Sequence, residues 1–154
     1  SLSGLTLSKD KQHSATYIHT DHAKPHCKSS QNFKSILNDM SSGVFNGRTV
    51  VQEDSQKTNS RQSNKNLLLS DKALMNSNPQ LEIYADDVKC AHGSTTGALD
   101  KEALFYMQSR GINKEEASSL LIRGFASELI NEVQHEETKK YLLNKFDHWL
   151  RYYN

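Results

Sequence analysis

A cysteine and a histidine two residues apart, Cys90 and His92, are the residues of this chain whose types best suit metal or sulfur chemistry. Thiolate and imidazole are natural ligands of iron, of zinc and of iron–sulfur clusters. If residues 88–92 are extended, side chains two apart share a face of the strand and project together about 7 Å apart. That separation is too long for a resting catalytic dyad, but it suits two groups that face one ion.

The same spacing also fits a purely structural pair. Free cysteine is often buried and inert, and a histidine beside it can lie in a turn. Spacing alone favours this structural interpretation over a ligand pair. A metal site at Cys90 and His92 would need a partner chain to supply the remaining ligands.

A second group of metal-capable side chains lies upstream, in an H-x2-H-x3-H-C segment formed by His19, His22, His26 and Cys27. A structural zinc site needs four convergent ligands, and Pro25 places a turn inside this segment that scatters the side chains. We expect surface or turn histidines here. The alternative is a metal-storage or homodimeric structural module that uses His19, His22 and Cys27.

Acidic residues raise the possibility of a carbohydrate-active enzyme, since polysaccharide-cleaving β-solenoids use a pair of carboxylates. The candidates are Glu53, Glu82, Asp86 and Asp87. Neighbours on a strand point to opposite faces, so Asp86 and Asp87 cannot easily share a substrate. No spacing singles out a pair, and this interpretation stays an alternative.

The motifs of nucleotide-binding and hydrolase sites are missing from the sequence. It contains no G-x-x-x-x-G-K-[ST], no G-x-G-x-x-G and no G-x-S-x-G. The chain is therefore not expected to bind ATP through a phosphate loop or to carry a serine nucleophile elbow. If ATP is involved, a partner must bind it.

Composition narrows the class of protein further. The 154-residue chain has a net charge of +1, which gives no strong non-specific attraction to nucleic acid or anionic lipid. No apolar run approaches the roughly 20 residues that cross a bilayer. Apolar residues make up 35% of the chain, which predicts a thin, elongated core. We expect neither a nucleic-acid partner nor a membrane partner.

The two cysteines and the first residues of the chain are the features that indicate the cellular compartment of the protein. Cys27 and Cys90 are too few for a disulfide framework, although they could form one bridge. Reduced thiols in a cytosol-like compartment are the simpler interpretation. The chain opens at Ser1 without an initiator methionine or a signal-peptide pattern. We interpret this start as a cut inside a longer protein. The expected location is the cytoplasm or the stroma of a plastid.

Short β-type runs separated by turn residues predict an all-β fold before residue 99. The runs are 5–7, 16–19, 44–45, 49–51, 67–69 and 81–84. They recur at roughly 15–22 residues, in the size range of solenoid coils. The pattern alone leaves a solenoid and a sandwich equally favoured.

After residue 99 the apolar period becomes helical. Asp100 is the predicted N-cap of a helix that stops at Gly111, Asn113 with Glu116 resembles a capping box, and a third helix starts near Glu136. The predicted apolar faces are Ala117, Leu120, Leu121, Phe125, Leu129 and Val133 in the second helix and Leu142, Phe146, Trp149, Leu150 and Tyr153 in the third.

An ordered series of motifs runs through residues 15–130. Its segments are VFNGR at 44–48, NLLLSDKA at 66–73, PQLEIYADDVKC at 79–90, HG at 92–93, LFY at 104–106, SRGI at 109–112 and GFA at 124–126 with Glu128, and upstream PHC at 25–27 with Ser29 and Gln31. The series is similar to the SufB/SufD family of iron–sulfur cluster assembly proteins. The segment 86–90 favours SufD, because SufB-like chains carry a glutamate near the histidine.

The resemblance implies a right-handed parallel β-helix, of which residues 1–98 are the C-terminal coils, and a small C-terminal helical domain at residues 99–154. It implies a non-catalytic scaffold or accessory subunit of the SUF system that is not an enzyme. Such a subunit pairs with SufB through the β-helices and docks the ATPase SufC through its C-terminal region. A SufB-like cluster scaffold is the alternative within the family. Apart from the resemblance, a homodimer of the isolated fragment, formed through its truncated N-terminal strand edge, is an option that the sequence leaves open.

The resemblance also assigns site residues. His92 falls on the family's interface histidine, which acts with a cysteine of SufB in forming the nascent cluster, and Cys90 lies beside it. The implied cofactor is a transient iron–sulfur cluster at the partner interface, with none in the isolated chain, so Cys90 and His92 are metal ligands only with the partner. The implied SufC contacts are Tyr106, Arg110, Gly111 and Ile112, together with the exposed side of Phe105.

Overall fold

The computed structural model describes residues 1–151, and these residues form seven strands followed by three helices. The strands are β1 (Leu2–Ser8), β2 (His13–His22), β3 (Lys28–Leu37), β4 (Ser42–Val51), β5 (Asn59–Leu68), β6 (Leu74–Ile83) and β7 (Lys89–Gly97). The helices are α1 (Lys101–Ser109), α2 (Lys114–Ile130) and α3 (Glu136–Arg151). The chain divides into two units, Ser1–Thr96 and Gly97–Asn154.

The strands wind into a parallel β-helix. One sheet has the order β1-β3-β5-β7 and the other β2-β4-β6, so successive strands alternate between two walls and each pairs with the next strand but one. The registered pairs β1–β3, β2–β4, β3–β5 and β4–β6 are all parallel. This topology removes the sandwich alternative and confirms the predicted β-helix.

One coil is longer than the predicted repeat. Leu2 pairs with Gln31, a separation of 29 residues, and Ser42 pairs with Leu74, a separation of 32. The predicted repeat of roughly 15–22 residues was wrong as a coil length because each coil contains two strands. It corresponds to the step from one wall to the other.

The interior of the β-helix is partly apolar and partly polar. Ile36, Leu37, Phe45 and Val51 are buried, and the rings of Phe33 and Phe45 lie 5.5 Å apart between centroids. The polar part is formed by alternate residues of β5, all buried: Ser60, Gln62, Asn64 and Asn66. Buried polar side chains of this kind need hydrogen-bond partners, which stacked coils provide.

Stacked turns close the coils. His26 and Lys57 both have a positive φ, of 61° and 63°, and the N–H of His26 donates to the carbonyl of Gln56 at 2.8 Å. Asp10 and Asp39 repeat the same conformation at another corner. Equivalent turns in successive coils therefore share one left-handed geometry, which non-glycine residues adopt uncommonly.

The helix caps follow the prediction. Asp100 is the N-cap of α1, and its Oδ1 accepts from the N–H groups of Glu102 and Ala103 at 2.9 and 3.2 Å. Gly111 follows the helix with φ +89°, a conformation that favours glycine. The side chain of Asn113 caps α2 by accepting from the N–H of Glu116 at 2.9 Å.

The buried face of α2 differs from the prediction. Leu120 is 44% exposed, and Val133 lies beyond the end of the helix. The buried residues are Ala117, Ser118, Ile122, Ala126, Leu129 and Ile130. In α3, Phe146 and Leu150 are buried as predicted, whereas Leu142 is exposed. Tyr153 lies outside the described residues.

None of the helices in residues 1–151 is both long enough and apolar enough to span a membrane.

Candidate functional site

Cys90 and His92 lie on β7, the last strand of the four-stranded sheet. β7 hydrogen-bonds to β5 on one side, and within residues 1–151 no strand pairs with its other side. Cys90 is half-buried and His92 is exposed. The extended conformation predicted for this segment is confirmed from Lys89 onward.

The register of β7 follows from its hydrogen bonds. The N–H of Lys89 donates to the carbonyl of Thr58 at 2.8 Å, just as the N–H of Asn59 donates to the carbonyl of Cys27 at 2.9 Å one coil earlier. In that earlier pair Lys28 lies opposite Asn59. The repeated pattern puts Lys89 opposite Asn59.

Two residues of β5 therefore lie beside the candidate pair, Ser60 opposite Cys90 and Gln62 opposite His92. Further along the strand, the Ser94 hydroxyl lies 2.7 Å from that of Ser77 and 3.4 Å from Oδ1 of Asn64. Ser94 thus faces the interior of the β-helix. Because alternate strand residues share a face, Cys90 and His92 face the interior side as well.

A chain of hydrogen bonds leads through the interior toward Cys90. Nε2 of His22 lies 2.8 Å from the hydroxyl of Ser29, and that hydroxyl lies 2.8 Å from the hydroxyl of Ser60. Burial lowers the pKa of His22, and the nearby Asp21 carboxylate opposes this effect only in part. At pH 7 His22 is therefore mainly a neutral imidazole, and it belongs to a polar stack that extends to Ser60.

The H-x2-H-x3-H-C segment is spread over different environments. His19 is exposed on β2, His22 points into the interior, and His26 occupies a left-handed turn. Across the part of the chain that the structure describes, no group of three or more His, Cys, Asp or Glu side chains is placed to hold a metal ion. The segment supplies no such group.

Two of the four acidic residues named as candidates for carbohydrate chemistry, Glu82 and Asp87, are paired with cations. Glu82 accepts two hydrogen bonds from Arg48, at 2.7 and 2.8 Å, and these bonds lower the pKa of Glu82. Asp87 is paired with Lys57. A carboxyl group held ionised by arginine is unsuited to act as the general acid of a glycosidase.

The helical residues predicted to contact an ATPase lie at the end of α1 and just after it. Phe105 and Tyr106 are 74% and 58% exposed, so Phe105 is not part of a core. The Arg110 guanidinium lies 4.9 Å from the centroid of the Tyr106 ring, a cation–π arrangement. Gly111 is exposed and Ile112 is half-buried.

Sequence reasoning missed the polar stack below the candidate pair. The signal was present as a Ser-x-Gln pair at Ser29 and Gln31, repeated one coil later at Ser60 and Gln62. The next coil carries Cys-x-His at the same two positions. Equivalent positions of successive coils stack into columns that line the interior. In two of these columns Cys90 and His92 stand where the coils before them carry a serine hydroxyl and a glutamine amide.

The fold and the site together define a parallel β-helix whose last strand presents a thiol and an imidazole, joined in sequence to a three-helix unit. A family model described as "SUF system FeS cluster assembly, SufBD core domain" matches residues 1–125. The chain belongs to this SufB/SufD family.

Curated relatives agree with the family. The chain is 44% identical over 123 residues to the iron–sulfur cluster assembly protein SufD of Escherichia coli K12, which covers 80% of the chain and 29% of the relative. It is 39% identical over 109 residues to SufD of Bacillus subtilis, covering 71% of the chain and 25% of the relative. The chain is 43% identical over 96 residues to the chloroplastic protein ABCI7 of Arabidopsis thaliana, a match that covers 62% of the chain and 20% of the relative. The chain thus spans less than a third of the length of these relatives.

Proposed function

We propose that this chain belongs to a SufD-like, non-catalytic subunit of the SUF iron–sulfur cluster assembly complex. The observation that carries the proposal is the placement of Cys90 and His92 on one face of the edge strand β7. The names of the relatives as cluster assembly proteins support it. In this role the iron–sulfur cluster is the cargo of the complex.

The site needs a second subunit to complete it. One thiolate and one imidazole are fewer than the four ligands of an iron–sulfur unit or a closed metal site. Within residues 1–151 no strand pairs with the outer edge of β7, and such edges pair with other chains unless they are protected. A SufB-like β-helix that pairs with this edge would bring its own ligands to Cys90 and His92.

An ATPase of the SufC type is proposed to bind the helical unit. Tyr106 and Arg110 present an exposed aromatic ring and a guanidinium, residue types enriched at binding hot spots. Gly111 and Ile112 continue this surface. The sequence carries no phosphate loop, which fits a division of labour in which the partner binds ATP.

The compartment belongs to the proposal as well. Relatives come from bacteria and, in one case, carry a chloroplastic name. We place the protein in the cytoplasm of a bacterium or in the stroma of a plastid.

Copurification tests the proposed assembly. The intact protein is coexpressed with the SufB-like and SufC-like subunits of the same organism, and the complex is isolated through a tag on the SufC-like ATPase. We expect all three subunits to copurify in a fixed ratio. A SufC-like ATPase that elutes without this protein would contradict the proposal.

A matched pair of double variants locates the ATPase contact. Tyr106→Ala with Arg110→Ala removes the exposed cation–π pair of α1, and we expect the ATPase to be lost from the complex. Tyr141→Ala with Lys145→Ala removes a similar exposed pair, 5.5 Å apart, from α3 and serves as the control. Equal retention of the ATPase by both double variants would contradict the assignment to α1.

A further inference from the structure

Two interior columns of the β-helix change chemistry at the last coil. The lower coils place serine and glutamine at these positions, Ser29 with Gln31 and Ser60 with Gln62, and the last coil places Cys90 and His92. His92 is thus stacked on a column of glutamines. Neighbouring strands lie about 4.8 Å apart, so side chains at successive positions of a column are within contact distance.

The glutamine column is a hydrogen-bonded chain with a direction. Nε2 of Gln31 donates to the hydroxyls of Thr20 and Thr49, at 2.9 and 3.2 Å. Nε2 of Gln62 donates to Oε1 of Gln31 at 2.8 Å. Gln31 thus donates to β2 in the coil before it and to β4 in its own coil, and it accepts from Gln62 in the coil after it.

The chain ends on an acceptor without a donor. Oε1 of Gln62 is buried and has no hydrogen-bond partner within the described part of the chain, although Gln62 is only 3% exposed. The oxygen and nitrogen of a primary amide diverge, so an amide that points its nitrogen at Gln31 points its oxygen away from that coil. The next residue in the column is His92.

The opposite wall limits how far the Gln62 amide can turn. A Cβ added at Gly47 would lie 2.6 Å from Nε2 of Gln62, closer than real contacts allow, so the amide is packed against the backbone of β4. Its nitrogen is held between Gly47 and Gln31. This packing limits how far the amide can turn away from Gln31.

In the structure the exposed ring of His92 does not hydrogen-bond to Oε1 of Gln62. We propose that the ring turns inward and donates its N–H to this oxygen, so that Gln62 is a positioning residue that selects one tautomer of His92. Which ring nitrogen is free to bind a ligand is set by the hydrogen bond that the other nitrogen makes. Outer partners of this kind orient metal-binding histidines and fix their tautomer. The second ring nitrogen of His92 is then unprotonated and available to the cluster under assembly. The inference rests on the proposed role of His92, but its test does not require that role.

Nitrogen spectroscopy on the intact protein tests the hydrogen bond. The protein is labelled with ¹⁵N-histidine, the ring tautomers are read from long-range proton–nitrogen correlations, and His92 is identified by its loss in His92→Gln. We expect a single tautomer for His92, with its ring N–H protected from solvent exchange. A tautomer ratio equal to that of the urea-unfolded protein would overturn the inference without any further variant.

Two substitutions at Gln62 distinguish an amide that accepts a hydrogen bond from His92 from one that donates a hydrogen bond to it. Gln62→Met removes the acceptor at similar side-chain length, and we expect the tautomer ratio to shift to that of a free ring. Gln62→Glu keeps the carbonyl-type oxygen and loses the Nε2 donor, and we expect the wild-type tautomer. Reversal of the tautomer in Gln62→Glu would mean that Gln62 donates to His92, which would overturn the proposal.

The control is Gln80→Met, the same substitution at an exposed position of β6. It is expected to leave the tautomer unchanged, and an equal shift in Gln80→Met and Gln62→Met would contradict the specific contact. Failure of the proposed function gives a different result. In that case His92→Ala leaves cluster assembly intact, while the tautomer and its dependence on Gln62 are unaffected.

Discussion

Single residues inside the β-helix are constrained by stacked polar contacts as much as by apolar packing. Cys90 and His92 were identified from the sequence because their types suit metal and sulfur chemistry and residues two apart share a strand face. Gln62 was not identified, because its importance depends on which residue lies opposite it one coil later. A separation of about thirty residues carries no local signal, and only the register supplies it.

Gly47 provides a test of the packing around Gln62. A Cβ at this position would lie 2.6 Å from the Gln62 amide nitrogen and 2.8 Å from the Phe45 ring. We expect Gly47→Ala to lower the free energy of unfolding by about 1–3 kcal/mol, as overpacking of a core does. Urea denaturation measures the change.

Gly93 is the matched control for this substitution, since a Cβ there meets nothing within 4 Å. Gly93→Ala is expected to leave the free energy of unfolding unchanged or slightly raised. Equal losses in Gly47→Ala and Gly93→Ala would show that the close approach at Gly47 has no energetic consequence.

His22 predicts a pH dependence of stability. Burial lowers the pKa of His22 below its unfolded value of 6.5, so between those two pKa values the unfolded chain binds more protons than the folded one. The free energy of unfolding therefore falls as the pH drops from about 6.5 toward the folded pKa. We expect this loss to be smaller in His22→Gln, which keeps a polar partner for Ser29.

Urea denaturation of both proteins at about pH 7.5 and about pH 5 measures the difference. His13→Gln, on an exposed ring bonded to Ser42, is the comparison. The pH dependence attributed to His22 is wrong if His22→Gln and the wild type lose the same free energy on acidification.

At the scale of elements, the helices were easier to predict than the strands. Helix ends have local signals, and Asp100, Gly111 and Asn113 marked three of them correctly. Strand β5 was predicted only at 67–69, although it begins at Asn59, because its inward positions carry serine, glutamine and asparagine. Strand prediction from apolar alternation fails where stacked coils satisfy buried polar groups.

The N-cap of α1 is predicted to contribute measurably to stability. Asp100→Ala removes the acceptor for the N–H groups of Glu102 and Ala103, and we expect a loss of about 1 kcal/mol. Asp100→Asn retains an acceptor oxygen, so its loss of folding free energy should be only a small part of the loss in Asp100→Ala. Hydrogen exchange at Glu102 and Ala103 localises the effect, and identical exchange in the two variants would contradict the capping role.

At the scale of the whole molecule, the chain contains a solenoid that ends on an edge strand and a helical unit with an exposed aromatic and basic surface. The sequence indicated both units, and the resemblance to the SufB/SufD family decided between a solenoid and a sandwich. The proposed site could not be completed from one chain, because Cys90 and His92, if both bind the cluster, supply only half of a four-ligand coordination shell. The remaining ligands belong to the proposed partner.

The central claim is that His92 acts in cluster formation at an interface between subunits. The most direct measurement is the iron–sulfur absorbance of the purified three-subunit complex, compared between the wild type and His92→Ala at equal subunit ratio. We predict that His92→Ala still assembles but holds cluster at a level lower by roughly tenfold or more, since losing a ligand costs at least as much as losing its outer partner. His13→Ala should retain the wild-type level. A normal cluster content in assembled His92→Ala complex would contradict the account.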